Sequence, residues 1–471
     1  MSDRYRVGPA HEAVEMILAI DCGSTNHKVA LFDGDLTRLA AGSTPVAYTA
    51  RDAERVEFDP EKLWQDTCLL IRQVCAAARV SSRQITTVAL ASQAQTFTLL
   101  NVEGEAVIPF LSWADKRAQE ESAELTERMG ARFHQHSSFP APLPQLQLSK
   151  LLWLARRLPL ALRARTRVVS LPAFLVLRLA GLHCSDSNLA AMSGLYSLIG
   201  GDWWPEALSA CSLGVENCGQ VVEIGTAVPA LTWCPELELS PELRIVFAGN
   251  DQTAGAYATG AEGLVITLGT ALVAYRFAGA TAGPFQATGC WGPYPGGGFY
   301  ELVTRDEGCA ALDWAVAQSM PGNEVEFLEL AASAPGGGAF FYPQRMHTPD
   351  AWVGSADPAL RARAVLEGIC FSMRGLVDDM PSAESARDAV TAIGGGSANS
   401  LWLAMLANVL NRPVRHGQGD ILLGAAMLAQ PGIKPSPSAN TACFLPEPKQ
   451  VDEYEQVYHA WRQRAPSPLL T

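Results

Sequence analysis

Glycine occurs together with hydroxyl, amide and carboxylate side chains in one polar run near the start of this 471-residue chain. The run DCGSTNH at 21–27 separates two apolar segments, 17–20 and 28–32. Glycine lets the backbone approach an anion, while N–H groups and hydroxyls donate to phosphate oxygens. Gly23, Ser24 and Thr25 supply these groups. Asp21 is placed to hold Mg²⁺ through water. An ordinary polar turn is the open alternative.

A second turn of the same kind lies 246 residues further on, counted from Gly23 to Gly269. Gly269 and Thr270 separate the apolar runs 264–268 and 271–275, which is the pattern of a β-hairpin. Alone this turn is a weaker signal than the first. The repetition indicates two related halves, whose turns face one another and hold a polyphosphate from both sides.

A glycine-rich loop, GGGSAN at 394–399, lies between an apolar strand and a periodic helix. Its glycines leave room for a flat ligand, and the helix N-terminus adds a positive dipole end. Helix capping by Ser397 or Asn399 explains the loop equally well. The spacing matches neither GxGxxG nor GxxxxGK[ST], which disfavours Rossmann dehydrogenases and P-loop kinases.

Two further segments carry groups that suit an alcohol substrate. In GNDQT at 249–253, Asp251 is placed to act as a general base and Gln252 to pair with a hydroxyl. Helix N-capping by Asp251 is the alternative. Trp113, Asp115 and Arg117 would suit sugar recognition through an aromatic face and charged groups. A strand-edge tryptophan beside a surface ion pair is the alternative.

The elements around these segments predict an α/β fold of mixed strands and helices. We expect hairpins around both turns, a buried strand at 87–92, helices at 148–158 and 361–380, and a strand at 390–393 that runs into the glycine loop and a helix. The predicted organisation is a polar tail at 1–15, an N-terminal domain at 16–245 and a C-terminal domain at 246–471, with a hinge near 240–250.

Composition excludes several classes of protein. The net charge of −13 argues against a nucleic-acid partner. The longest apolar stretches fall short of a membrane span, and the five apolar residues at 16–20 are too few for a secretory signal, so we expect a cytoplasmic protein. Eleven cysteines without a C-x-x-C pair fit reduced core thiols.

Taken in order, these segments resemble the FGGY carbohydrate kinases, which share the actin-like ATPase fold. The resemblance covers about 16–430 and rests on nine segments in order: IDCGSTNHKVALFD, VEFDPEKLW, LASQAQT, LSWADKRA, GNDQTAGA, ITLGTA, RAVLEGICFSMRG, IGGGSANSLWLAMLANVL and GAAMLA. It implies two actin-like (ribonuclease H-like) domains with mixed sheets flanked by helices. It also implies transfer of the ATP γ-phosphoryl group, with Mg²⁺, to a sugar or polyol hydroxyl in the interdomain cleft.

The resemblance also implies roles for single residues. Asp251 would be the catalytic base. Phosphate would be bound by Gly23, Ser24, Thr25, Asn26 and Lys28 of the first turn and by Gly269 and Thr270 of the second. Further nucleotide contacts would come from Gly308, Asp313, Gly395, Gly396, Ser397 and Asn399. The acceptor contacts would come from Gln93, Ala94, Gln95, Trp113, Asp115, Asp251 and Gln252.

At the acceptor site this chain departs from its relatives. Xylulose kinases carry Gln-Met-His where this chain has Gln93, Ala94 and Gln95, and the Arg-Glu pair of glycerol kinases is missing. We therefore expect a kinase of a ketose or related polyol, with glycerol disfavoured. A kinase of a non-sugar small molecule and a non-catalytic nucleotide-binding regulator are the alternatives, and the sequence leaves a homodimer open.

Overall fold

The structure, a computed structural model, describes residues 15–137, 139–162, 165–261, 263–280, 289–320, 322–380, 388–433 and 442–465. Residues 1–14 of the polar tail predicted at 1–15 lie outside these ranges. Within them, no helix combines the length and the apolar character that a bilayer crossing needs. All eleven cysteines are free, and Cys443 alone is exposed, in agreement with reduced core thiols.

Strands and helices alternate through the first half of the chain. Its described strands are β1 (Met16–Cys22), β2 (Asn26–Phe32), β3 (Arg38–Pro45), β4 (Tyr48–Arg51), β5 (Val56–Phe58), β6 (Ile85–Ser92), β7 (Phe97–Leu100), β8 (Phe110–Leu111), β9 (Arg167–Ser170), β10 (Cys184–Asp186), β11 (Tyr196–Ser197), β12 (Asp202–Trp203), β13 (Gln220–Val222), β14 (Ala227–Pro229) and β15 (Arg244–Asn250). Its described helices are α1 (Pro60–Ala78), α2 (Gln119–Met129), α3 (Ala131–Ser137), α4 (Gln147–Arg157), α5 (Leu171–Ala180), α6 (Ser187–Ala191) and α7 (Pro205–Ala210).

The first large sheet has six strands in the order β14-β15-β6-β1-β2-β3. At its centre β1 runs parallel to β6 and antiparallel to β2, and β15 runs parallel to β6. The outer strands β14 and β3 are antiparallel to their neighbours. β1 is buried along its whole length, as expected of a strand covered by helices on both faces.

The second half repeats the alternation. Its described strands are β16 (Val265–Leu268), β17 (Leu272–Gly279), β18 (Cys290–Pro293), β19 (Phe299–Arg305), β20 (Ala339–Phe341), β21 (Trp352–Gly354), β22 (Val390–Ile393), β23 (Val414–His416) and β24 (Cys443–Phe444). Its described helices are α8 (Asp251–Ala258), α9 (Cys309–Ser319), α10 (Glu324–Ser333), α11 (Pro358–Asp378), α12 (Ser400–Leu410), α13 (Ile421–Ala429) and α14 (Pro448–Gln463).

The second large sheet has the same plan as the first. Its order is β18-β19-β17-β16-β22-β23-β24. β16 runs parallel to β22 and antiparallel to β17, and β23 runs parallel to β22. β24 and β19 are antiparallel to their neighbours, like β14 and β3 in the first sheet. Both predicted hairpins are confirmed, and so is the mixed-sheet α/β fold class.

The division between the two sheets falls later in the chain than predicted. The boundary predicted between 245 and 246 cuts β15, yet β15 pairs with β6 as one strand of the first sheet. The second sheet starts at β16. Helices α8 and α13 pack together, and Ala254 and Ala425 belong to the core on one face of the first sheet. The hinge near 240–250 was predicted from composition, but the pairing of β15 with β6 is what places β15 in the first sheet.

Candidate functional site

The residues predicted for phosphate, acceptor and base chemistry meet at one edge of the first sheet. β1, β6 and β15 are parallel, and their carboxyl ends lie side by side because Ser92 pairs with both Cys22 and Asn250. Ligands of open α/β sheets bind at this kind of edge. The segments that follow these strands carry Gly23, Gln93 and Asp251.

The first hairpin turn is fixed by bonds to its carbonyl groups. Tyr48 Oη donates to the Ser24 carbonyl at 2.6 Å, and the Val46 N–H donates to that of Thr25 at 3.0 Å. A Cβ at Gly23 would lie 2.8 Å from the Asn26 carbonyl oxygen, so the turn needs glycine there. The backbone is thereby held in one shape, with Thr25 exposed at the tip.

Asp21 is a buried carboxylate with one oxygen to spare. Its Oδ2 lies 3.3 Å from Lys28 Nζ, and Oδ1 has no hydrogen-bond partner among the described residues. Burial raises the pKa of Asp21, and the Lys28 charge opposes that rise. A single carboxylate with an unpartnered oxygen, beside the turn that the sequence predicts to bind phosphate, fits Mg²⁺, which takes one or two carboxylates together with phosphates and water.

Asp251 is the first residue of α8 and does not cap it. The cap is Asn250, whose side chain accepts from the Thr253 N–H at 2.9 Å, so the capping alternative for Asp251 is wrong. The partly buried Asp251 accepts from the Gln252 N–H at 2.9 Å. Burial and then the charge of Asp21 raise its pKa to about 6. A carboxylate in this state is a competent base near neutral pH.

A residue that the sequence analysis missed holds this capped turn. The amide of Asn188 is fully buried, and its Oδ1 accepts from the Asn250 N–H at 2.9 Å and from Asn250 Nδ2 at 2.7 Å. Its Nδ2 donates to Thr253 Oγ1 and to the Pro293 carbonyl. Asn188 therefore connects α6 to the turn that precedes Asp251 and to β18 of the second sheet. No spacing in the sequence indicates such a long-range contact.

The predicted acceptor segment follows β6 and lies against the first hairpin. Gln93 Nε2 donates to the Gly23 carbonyl at 3.3 Å, and its Oε1 is buried without a partner among the described residues. Gln95 has φ +62°, a conformation that side-chain-bearing residues rarely adopt. The indole of Trp113 is 41% exposed, and its backbone N–H donates to Thr96 Oγ1 at 3.0 Å. Gln93, Ala94, Gln95 and Trp113 thus lie close together.

Asp115 is placed differently from what the sequence suggested. Its side chain is fully buried, bonded to Arg117 Nη2 at 2.6 Å and to the Val56 N–H at 2.9 Å. Arg117 also bonds Glu57 Oε1 at 2.6 Å. Asp115 therefore holds the segment behind Trp113 in place rather than presenting oxygens beside the exposed indole. Asp115 thus forms a buried ion pair with Arg117, and neither the predicted sugar contact nor the alternative of a surface ion pair describes it.

The second hairpin turn is bound to the start of α9. The N–H groups of Cys309 and Gly308 donate to the Gly269 and Thr270 carbonyls at 2.7 and 3.0 Å. A Cβ at Gly308 would lie 2.5 Å from the Gly269 oxygen, so glycine is required for this approach. Asp313 is exposed one turn into the same helix. Gly308 therefore shapes the turn directly, and Asp313 lies nearby on the surface.

The glycine-rich loop packs on the same hairpin. A Cβ at Gly396 would lie 3.0 Å from the Leu268 side chain and 3.1 Å from Cys309 Sγ, whereas Gly395 faces open space. Ser397 Oγ donates to the Gly394 carbonyl at 2.7 Å, so this buried hydroxyl serves the loop. Asn399 Oδ1 caps α12 by accepting from the Trp402 N–H. A ligand contact from Asn399 would have to come from its amide nitrogen.

Gln252 joins the two halves of the site. Its Oε1 accepts from Thr267 Oγ1 at 3.2 Å, and Thr267 lies on β16 just before the second turn. The edge of the first sheet where β1, β6 and β15 end is thus bonded to the hairpin of the second sheet, beside Asp251.

Models of one family match both halves of the chain. The FGGY family of carbohydrate kinases, N-terminal domain, matches residues 16–257, and the C-terminal domain of the same family matches residues 264–430. The chain belongs to the FGGY family. It is therefore a carbohydrate kinase, a phosphotransferase with an alcohol group as acceptor, and the resemblance read from the nine segments is confirmed.

Relatives and solved structures match nearly the whole length of this FGGY chain. It is 25% identical to the xylulose kinase of Escherichia coli (strain K12), over 90% of this chain and 91% of that one. It is also 25% identical to the autoinducer-2 kinase of Klebsiella pneumoniae, over 95% and 93%. The crystal structure of a ligand-bound xylulose kinase from Lactobacillus acidophilus superposes with a TM-score of 0.85 at 20% identity, covering 96% and 97%. That likeness supports the fold.

Proposed function

We propose that the protein transfers the γ-phosphoryl group of ATP to a hydroxyl of a ketose or related polyol, with Asp251 as general base. The environment of Asp251 is the observation that carries this proposal. Asp251 lies where the parallel strands of the first sheet end, its pKa is raised to about 6, and the neighbouring Gln252 is bonded to the second hairpin. Asp251 would accept the hydroxyl proton as the acceptor oxygen attacks the γ-phosphorus.

The nucleotide would be held by backbone groups of both halves. Gly23, Ser24, Thr25 and Asn26, with Lys28 beside them, face the phosphates from the first turn, and Gly269 and Thr270 from the second. The adenosine lies along Gly395 and Gly396, near Asn399 and the start of α9 at Gly308, with Asp313 on the same helix. Such N–H groups bind phosphate without a basic surface, which agrees with the net charge of −13.

Mg²⁺ would be held by Asp21, whose Oδ1 is the unpartnered oxygen at the site. A bound Mg²⁺ would neutralise charge on the phosphate oxygens during transfer. Asp21 and Asp251 repel each other in the free protein, and that repulsion contributes to the raised pKa of Asp251.

The acceptor that suits this site is uncharged. Gln93, Gln95 and Gln252 offer amide groups to hydroxyls, and the exposed face of Trp113 suits the C–H face of a sugar. Of the nearby cations, Lys28 pairs with Asp21, Arg117 pairs with Asp115, and the buried ammonium of Lys150 is bonded to backbone carbonyl groups. A sugar acid would find no unpaired cation among these groups, so we expect it to be a poor substrate.

A coupled assay of ADP release tests the proposal. The panel contains ketopentoses, ketohexoses, polyols, a sugar acid and a small non-sugar hydroxyketone, the last because an autoinducer-2 kinase is as similar to the chain as a xylulose kinase. We expect acceptor-dependent ADP release with ketoses or polyols. ATP binding without ADP release for any acceptor would contradict it.

Gly395→Ala tests the adenosine position. No atom lies within 4 Å of a Cβ there, so we expect an unchanged thermal midpoint. If adenosine lies against this backbone, the added methyl displaces it, and KM for ATP rises about tenfold, equivalent to about 1.4 kcal/mol. Gly34→Ala, in the turn after β2, has its nearest atom 3.8 Å away and is the control. An unchanged KM for ATP in Gly395→Ala would remove Gly395 from the site.

A further inference from the structure

Lys150, on α4, is a fully buried lysine whose partners are backbone carbonyl groups. Its Nζ donates to Ser112 at 2.8 Å and Gln95 at 3.1 Å, with a third, longer contact to Leu111 at 3.5 Å. The ammonium also lies 5.5 Å from the centre of the Phe97 ring. An ammonium group has three donors and no acceptor, which matches three carbonyl oxygens.

The carbonyl of Gln95 belongs to a strained turn. The Thr96 N–H donates to the Ala94 carbonyl at 2.8 Å around Gln95, whose φ is +62°. A hydrogen bond between residues i and i+2 around a positive φ defines the rarer form of γ-turn. Strained backbone persists only where surrounding contacts hold it. The bond from Lys150 to Gln95 supplies such a contact.

The same ammonium connects this turn to the segment of Trp113. Ser112 directly precedes Trp113, and Thr96 Oγ1 accepts from the Trp113 N–H. The buried Lys150 is therefore bonded to both segments that carry the proposed acceptor contacts. Loss of its charge would release two loops at once.

We propose that Lys150 is a positioning residue for the acceptor, because it holds the Gln95 turn and the Trp113 segment in one fixed arrangement. This proposal rests on the proposed function, since it concerns the acceptor part of the same site. Lys150 does not reach the reacting atoms, so it acts through these two segments on acceptor affinity and leaves the nucleotide side unaffected.

The arrangement has a pH dependence with a defined sign. Burial lowers the pKa of Lys150 to about 7, with the charge of Asp115 opposing the shift and that of Arg117 adding to it. On neighbouring elements, Glu57 of β5 pairs with Arg117, Glu121 of α2 pairs with Arg156 on α4, and Glu206 of α7 pairs with Arg132. Above neutral pH the amine keeps two donors and directs a lone pair toward a carbonyl, so KM for the acceptor rises with pH.

Lys150→Met tests the role of the charge, with Leu151→Met as the matched control. Leu151 is also fully buried on α4. Loss of hydrogen bonds from a charged donor predicts a rise in KM for the acceptor of about tenfold to a hundredfold in Lys150→Met, with KM for ATP unchanged. In wild type, KM for the acceptor rises above pH 7, and in Lys150→Met it is independent of pH. Equal changes in both KM values, or a pH profile shared by the two proteins, would overturn the proposal.

Hydrogen exchange separates failure of this proposal from failure of the proposed function. If wild type phosphorylates no acceptor, the function fails, and the positioning role is read from amide exchange alone. After correction for the intrinsic rate, exchange at 93–96 and 111–113 accelerates in wild type as the pH rises through 7. The acceleration is confined to these loops, and the second hairpin at 268–272 is the internal reference. Exchange that is independent of pH in those loops would reject the role of Lys150 without any variant.

Discussion

Asp251→Asn is expected to lower kcat by about a hundredfold or more while both KM values stay within about twofold. The amide has the shape of the carboxylate and cannot accept the hydroxyl proton. The measurement is coupled ADP release with the best acceptor of the panel. Asp35→Asn, in the exposed turn after β2, is the control and should keep wild-type turnover. Unchanged turnover in Asp251→Asn would remove Asp251 from the role of base.

The same variant should be at least as stable as wild type at pH 7. The pKa of Asp251 is raised to about 6 in the folded protein, so folding favours its protonated form. Its charged form therefore opposes folding at pH values above the folded pKa, and the neutral amide removes that cost. A thermal midpoint equal to or above that of wild type would show that lost activity is not lost folding.

The pH profile of wild type should reflect the same group. Asp251 must be deprotonated to accept a proton, so kcat/KM falls below about pH 6, tenfold for each further pH unit. The rise of KM for the acceptor, attributed to Lys150, lies on the alkaline side. The two limbs are therefore separable in one titration, and an acid limb near pH 4 would contradict the environment described for Asp251.

Gly424→Ala is expected to destabilise the protein by about 1–3 kcal/mol or more and to lower activity. A Cβ at Gly424 of α13 would overlap the carbonyl oxygen of Ala254, so α8 and α13 must separate. Because α8 starts at Asp251, the displacement reaches the proposed base. Thermal unfolding and ADP release measure the two effects.

Gly255→Ala, on α8 itself, is the matched control for that prediction. Its nearest neighbours would lie at 3.7 Å from a Cβ, an ordinary contact distance. Glycine in a helix costs about 0.5–1 kcal/mol relative to alanine, so this variant should be neutral or slightly stabilised. The same change from glycine to alanine should therefore lower stability in α13 and leave it unchanged or raise it in α8. A stable Gly424→Ala would show that the helices are not packed this closely.

Local patterns predicted the elements of the site well. The alternation of apolar runs with glycine turns identified both hairpins, and apolar periodicity identified α4, α11 and α12. The strand, glycine loop and helix at 390–410 also follow from the order of residue types. These features depend on contacts between residues that are close in sequence, so residue types and their spacing are enough to predict them.

Long-range contacts explain what the sequence missed. Asn188 and Lys150 act through partners 62 and 55 residues away, at Asn250 and Gln95, and neither has a local signature. Asp115 was expected beside the acceptor because it is near Trp113 in sequence, yet it bonds Val56, 59 residues earlier. The domain boundary failed for the same reason, since pairing with β6 places β15 in the first sheet.

The matching strand orders of the two sheets have a consequence for descent. The six positions β3-β2-β1-β6-β15-β14 of the first sheet have the same strand directions as the positions β19-β17-β16-β22-β23-β24 of the second, the pattern that duplication and fusion of one ancestral gene would leave. Asp21 and Thr267 occupy equivalent places, each two residues before the glycine of its hairpin turn. The first half has an acid at this place, and the second has a threonine whose hydroxyl donates to Gln252. The two equivalent places therefore carry different side chains with different partners, Lys28 for Asp21 and Gln252 for Thr267.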